Sequence, residues 1–142
     1  MEIIFKLNFI TFIMTTQETK KQIILTTGMF DILKDQIRRK KINPKNEGQI
    51  VSELRTAKQV NRRDLPANIV DVYKKVVVRE INSGEALTYL FVPANVARAK
   101  HGTISILSEV GLALLGHEVD SIIEWHTEEG EKAFRIEEVS DL

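Results

Sequence analysis

The chain predicts an α+β protein: a short N-terminal antiparallel pair of helices, then an antiparallel sheet of about five strands wrapped around short helices. Three observations predict it. From Gly28 to Lys41 the apolar residues Phe30, Leu33 and Ile37 recur three and four apart, the period of an amphipathic helix. From Val72 to Phe91 the period changes to two, with Val72, Val76 and Val78 alternating with Tyr73, Lys75 and Arg79, and then Leu87, Tyr89 and Phe91 returning. Between Thr103 and Trp125 a short run, Val110, Leu112, Ala113, Leu114 and Leu115, is apolar around most of a helix's circumference, so it must be buried on several sides.

The elements follow in order. Thr26 or Thr27 can cap the first helix, Asp31 lies near its positive end, and Arg38, Arg39, Lys40 and Lys41 complement its negative end. Asn43-Pro44 breaks it, and so short a link forces the next helix to run antiparallel. That second helix carries Ile50, Leu54 and Ala57 on one face with Val51 alongside. Gly48 lies inside it and weakens it, so its start is expected to slip to Asn46 or later. Leu65-Pro66 marks the exit into a second unit. There Asn82-Ser83-Gly84-Glu85 turns one strand into the next, Pro93 ends that hairpin, and Ala94 to Lys100 reads as a short surface helix. Ile104 and Ile106 form a strand before Ser108, Gly116 caps the apolar helix, and Val119 to Trp125 is extended. Glu128 to Glu131 turns the chain into a closing strand with Phe134, Ile136 and Val139. The organisation is thus an extension at 1–21, a helical hairpin at 22–66 and a sheet unit at 67–142.

Composition sets the outer bounds. The chain has 142 residues, enough for one real core, and 20 basic residues balance 20 acidic ones. Any attraction to nucleic acid or anionic lipid must therefore come from a local patch. Cysteine is absent, which excludes disulfides, thiol nucleophiles and cysteine metal sites. The opening MEIIFKLNFITFIM is too short and too interrupted to span a bilayer, for which ~20 apolar residues are needed, and it lacks the marks of a secretory signal. It is expected to lie outside the fold, with Met14 as the working start.

The order of motifs resembles a known family. The pattern I-S-x-x-S-x-V-G-x-A-L-L-G from Ile104 to Gly116, followed by an acidic loop, I-x-W ending at Trp125 and a glycine turn, resembles the C-terminal domain of the Gre transcript-cleavage factors and, more closely, the Rnk proteins. Upstream, Glu53, Leu54, Ala57 and Val60, then Leu65-Pro66, Val70, Ser83-Gly84-Glu85 and Tyr89 to Pro93, extend the likeness over roughly the last five-sixths of the chain. The resemblance implies an FKBP-like fold for the sheet unit. It implies a cytoplasmic, monomeric, non-catalytic regulator of transcription elongation that binds RNA polymerase at the secondary channel entrance, with the hairpin pointing inward. Carried across, the polymerase contact falls on Ser105, Leu107, Ser108, Glu109, Val110 and Gly111. The chain departs from the family where Ser-Pro becomes Ser108-Glu109 and Gly-Asp becomes Asp120-Ser121.

Chemistry is otherwise sparse. His101, His117 and His126 lack metal-ligand spacing and read as surface histidines. Ser105 and Ser108 have no nucleophile context, and Gly111 and Gly116 read as packing and capping residues. Trp125 reads as core with its N–H near the surface. No catalytic residue, cofactor, metal site or membrane partner is expected. The informative cluster is the hairpin tip RRKKINPK, comprising Arg38, Arg39, Lys40, Lys41, Asn43 and Lys45 among its eight positions, of which five are basic. In the Gre factors the tip presents carboxylates that help hold a catalytic metal ion, a role suited to oxygen ligands. Here Asp31, Asp35, Glu47 and Glu53 lie on the helix bodies, where pairing with lysine and arginine neighbours is expected. About fourteen helical residues span only ~21 Å, short for a cleavage factor's arm.

Two other functions fit the residues less well. An FKBP-like fold raises peptidyl-prolyl isomerase activity, yet an aromatic-lined pocket is not assembled from so few aromatics. The basic tip raises direct nucleic-acid binding, which would weaken steeply with salt.

Overall fold

A computed structural model describes residues 22–142. The expectations for residues 1–21, including Met14 as the working start, lie outside the described residues. The chain opens with β1 (Ile24–Thr26), α1 (Thr27–Arg38), α2 (Pro44–Thr56) and β2 (Lys58–Val60). It continues with β3 (Lys74–Glu80), β4 (Ala86–Val92), β5 (Thr103–Ser105), α3 (Glu109–Leu114), β6 (Ile122–Thr127) and β7 (Gly130–Asp141).

The helix ends follow their residues. Thr26 caps α1 by accepting from the Met29 N–H (3.2 Å), and Asn43 caps α2 by accepting from the Lys45 N–H (3.0 Å). Pro44 occupies the first turn of α2, so the helix starts there rather than at Asn46; the missing N–H of proline costs nothing where no helical acceptor exists, and this outweighs Gly48. At the end of α1, Lys40 adopts a left-handed backbone (φ 57°). Its N–H reaches the Ile37 carbonyl, and that of Lys41 reaches Gln36, closing the last carbonyls without a glycine.

The expected antiparallel sheet is instead mixed. Its five strands run in the order β5-β4-β3-β7-β6, and β5 lies parallel to β4, with Phe91 opposite Ile104. A parallel neighbour needs a crossover rather than a tight turn. The segment after Pro93 supplies it, as two 3₁₀ turns at Ala94–Val96 and Ala99–His101 where one short helix was expected. Between β3 and β7 the register shifts at Val77/Val78, inserting Glu137, and such a bulge bends and twists a sheet. A separate pair of parallel strands, β1 and β2, brackets the two helices.

One apolar cluster unites these parts. Val76, Val78, Phe91, Trp125 and Ile136 from the sheet share it with Leu112, Leu114 and Leu115 around α3 and with Ile23, Leu25, Met29, Leu33, Ile50 and Leu54 from the N-terminal elements. Glycine is needed at two points beside α3. A Cβ on Gly111 would lie 2.2 Å from the Ile106 carbonyl oxygen, so only glycine lets α3 settle on that turn. Gly116 has φ +85° and lies against Ile23 and Leu25, while its carbonyl accepts from the Ile24 N–H (3.0 Å). The N-terminal strand is thereby joined to the end of the buried helix.

Candidate functional site

The turn from Ser105 to Gly111 is built by its own hydroxyls. Ser105 Oγ accepts from the Leu107 N–H (3.0 Å), and Ser108 Oγ accepts from the Gly111 N–H (3.2 Å), which is the N-cap of α3. Ile106 is buried, and its N–H donates to the Val92 carbonyl (2.9 Å), pinning the turn to the sheet. Gly111 is buried as well, so it sets the approach of α3. Glu109 is the exposed side chain of the turn, while Leu107 and Val110 are half-buried and pack against the core. Of the six residues singled out in the sequence, Glu109 alone is exposed, on a turn whose backbone is held from beneath.

Beside this turn lies a cavity of about 460 Å³, lined by Tyr89, Val110, Trp125 and Phe134 among others and edged by Glu109, Glu128 and Lys132. The aromatic lining that the sequence reading did not assemble is therefore present. Its residues come from β4, β6 and β7, which only the strand order brings together. Trp125 is also deeper than expected: its indole nitrogen is buried and has no hydrogen-bond partner among the described residues. Lys132 meets Glu129 at 2.6 Å and Glu80 at 3.7 Å. The hydrogen bond from Lys132 and its charge hold the Glu129 carboxyl below its ordinary value, and the same bond raises Lys132. Burial raises the Tyr89 phenol.

The basic tip is partly neutralised by its own helices. Asp35 pairs with Arg38 and, at 3.2 Å, with Arg39, and Glu47 lies 3.6 Å from Lys40. Lys41 and Lys45 are exposed and form no ion pair among the described residues, while Ile42 anchors the loop in the core. Among the described residues no three histidine, cysteine or acidic side chains gather as a metal site.

Two histidines are not surface residues. His117 is only 10% exposed, and its Nε2 lies 3.3 Å from Oε1 of Glu53, itself 8% exposed. Glu53 thus faces across the junction between α2 and the loop after α3 rather than pairing with a helical lysine or arginine. The spacing in α2, which puts Glu53 on the face of Ile50 and Leu54, was the available signal. Half-buried His126 places Nδ1 2.8 Å from Glu131. His101 is exposed.

Residues 65–141 match the family model of the C-terminal domain of transcription elongation factor GreA/GreB. The chain is 30% identical over 91 residues to the transcription elongation factor GreA of Acetivibrio thermocellus, covering 64% of this chain and 57% of that protein. It is 32% identical over 91 residues to GreA of Halalkalibacterium halodurans, covering 64% of this chain and 58% of that protein. The alignments therefore span somewhat over half the length of these relatives. Among solved structures, the GreA/GreB elongation factor from Nitrosomonas europaea superposes with a TM-score of 0.63 at 27% identity, covering 85% of this chain and 99% of that one. Among the described residues no helix is long and apolar enough to cross a membrane.

Proposed function

The chain belongs to the GreA/GreB transcription elongation factor family, and from that membership we propose that it is a non-catalytic regulator that binds RNA polymerase at its secondary channel entrance. The observation that carries this reading is the turn before α3. It lies within the matched segment, its backbone is fixed by Ser105, Ser108 and the buried Ile106, and it exposes Glu109. A rigid turn presenting few side chains suits recognition, because little conformational freedom is lost on binding. The finer likeness to the Rnk proteins, the FKBP-like character of the curled sheet around α3, the antiparallel arrangement of the hairpin, and the monomeric and cytoplasmic state belong to the same proposal.

The hairpin is read as non-catalytic because its tip presents Lys41 and Lys45 where a divalent cation would need oxygen ligands. The test is retention of the purified protein by immobilised core RNA polymerase, with Glu109→Arg as the comparison. Retention of the wild type with a clear loss in the variant supports the reading. Equal retention of both at moderate salt moves the contact elsewhere, and no retention of either removes polymerase as the partner. Lys41 and Lys45, without an ion pair among the described residues, favour one second reading, direct nucleic-acid contact at the tip, whose affinity would fall steeply as salt rises.

A further inference from the structure

The cavity beside α3 has three properties that together specify an occupant. Its volume, about 460 Å³, is within the range of ligand sites and holds one large side chain with its backbone. Its depth is aromatic, formed by Tyr89, Trp125 and Phe134. Its edge is acidic. Of the carboxylates lining it, Glu80 and Glu129 are already paired with Lys132, whereas Glu109 and Glu128 form no ion pair among the described residues.

We propose that this cavity is a receptor site for a basic peptide segment that seats one apolar side chain against the aromatic lining and sets flanking lysines or arginines against Glu109 and Glu128. An acidic segment is disfavoured, because a carboxylate entering past Glu109 and Glu128 meets like charge. Charge complementarity selects the segment and the aromatic cavity retains it. The site shares Glu109 and Val110 with the proposed polymerase contact, but its chemistry does not depend on which protein carries the segment.

Trp125 is the only tryptophan in the chain, so its fluorescence reports this site alone. The probes are two capped heptapeptides with one central leucine, flanked by lysines in one and by glutamates in the other, titrated against the full chain. The lysine peptide is expected to shift the Trp125 emission saturably, with affinity falling as salt rises, and the glutamate peptide to give no saturable change. Glu128→Lys is expected to weaken the lysine peptide roughly five- to tenfold at low salt and Glu128→Gln by less, while Lys132→Met tightens it by freeing Glu80 and Glu129. An unchanged emission spectrum for each free variant shows that its fold is intact. Equal binding of both peptides, or no saturable response to the lysine peptide, overturns the proposal. Because Glu128 lies outside the proposed polymerase turn, the two readings separate. Peptide binding without polymerase retention removes the partner but keeps the site, and polymerase retention without peptide binding removes the site but keeps the partner.

Discussion

The side-chain amide of Asn46 closes both backbone groups of His126: its Nδ2 donates to the His126 carbonyl (3.0 Å), and its Oδ1 accepts from the His126 N–H (3.1 Å). His126 lies in β6, the edge strand beyond β7, where one side of the backbone has no strand neighbour. An edge left open is a template for pairing with another chain. Here the first turn of α2 covers it, and Asn46, 2% exposed, takes the place of the absent strand.

Asn46→Ala is therefore expected to lower unfolding free energy by about 2–3 kcal/mol, because two part-buried backbone groups lose their partner at once. Asn46→Asp separates the two bonds. A carboxylate can still accept from the N–H but repels the carbonyl, whereas a protonated carboxyl can donate to it. Denaturant melts should show the aspartate variant gaining stability relative to wild type as pH falls through the carboxyl titration, and a pH-independent difference would mean the carbonyl contact contributes nothing.

The contact between Glu53 and His117 joins the same helix to the loop after α3 by a second route. The two groups are 3.3 Å apart, yet the His117 nitrogen is not aligned for a hydrogen bond, so the contact is one of charge and packing. Single replacements Glu53→Ala and His117→Ala should each be destabilising, and the double variant should lose less than their sum. A coupling of about 0.5–3 kcal/mol is the range for touching residues. Strict additivity in the double-mutant cycle would show that the pair does not interact.

Two glycines in helices should respond with opposite signs. Gly48 in α2 has open space where a Cβ would go, so Gly48→Ala is expected to raise stability by about 0.5–1 kcal/mol through helix propensity and the unfolded chain. Gly111 in α3 has the Ile106 carbonyl in that space, so Gly111→Ala must displace the turn and is expected to cost about 1–3 kcal/mol. Thermal melts of the two variants measure both, and matching signs would contradict the packing described for α3.

These positions also mark what was legible in the sequence. Period and caps disclosed α1, the β3–β4 hairpin, the burial of Leu112 to Leu115 and the left-handed Gly116, because each depends on residues within one or two turns of one another. The parallel placement of β5 was not legible. Nor was the aromatic cavity, since Tyr89, Trp125 and Phe134 meet only through the order β4-β3-β7-β6. Glu53 was misjudged for the same reason, and the burial of Asn46 was not foreseen. A polar residue on a helix reads as solvent-facing until the element that covers it is known. In the candidate turn the serine caps were readable locally, but the division into buried Gly111 and outward Glu109 depended on how closely α3 meets Ile106.

The last expectation concerns the tip. Asp35 and Glu47, its nearest carboxylates, are paired with Arg38, Arg39 and Lys40, and exposed Lys41 and Lys45 add like charge against any approaching cation. On the proposed function, purified protein added to backtracked elongation complexes stimulates no endonucleolytic RNA cleavage. It should nevertheless compete with an authentic cleavage factor, because both would occupy one channel entrance. Lys41→Ala with Lys45→Ala should leave that competition largely intact if the turn at Glu109 supplies most of the affinity, and Glu109→Arg should weaken it. Efficient cleavage by the wild type would overturn the reading of the tip. Failure to compete would overturn the reading of the partner. A competition lost with the two lysines but kept with Glu109→Arg would transfer the binding surface from the turn to the hairpin.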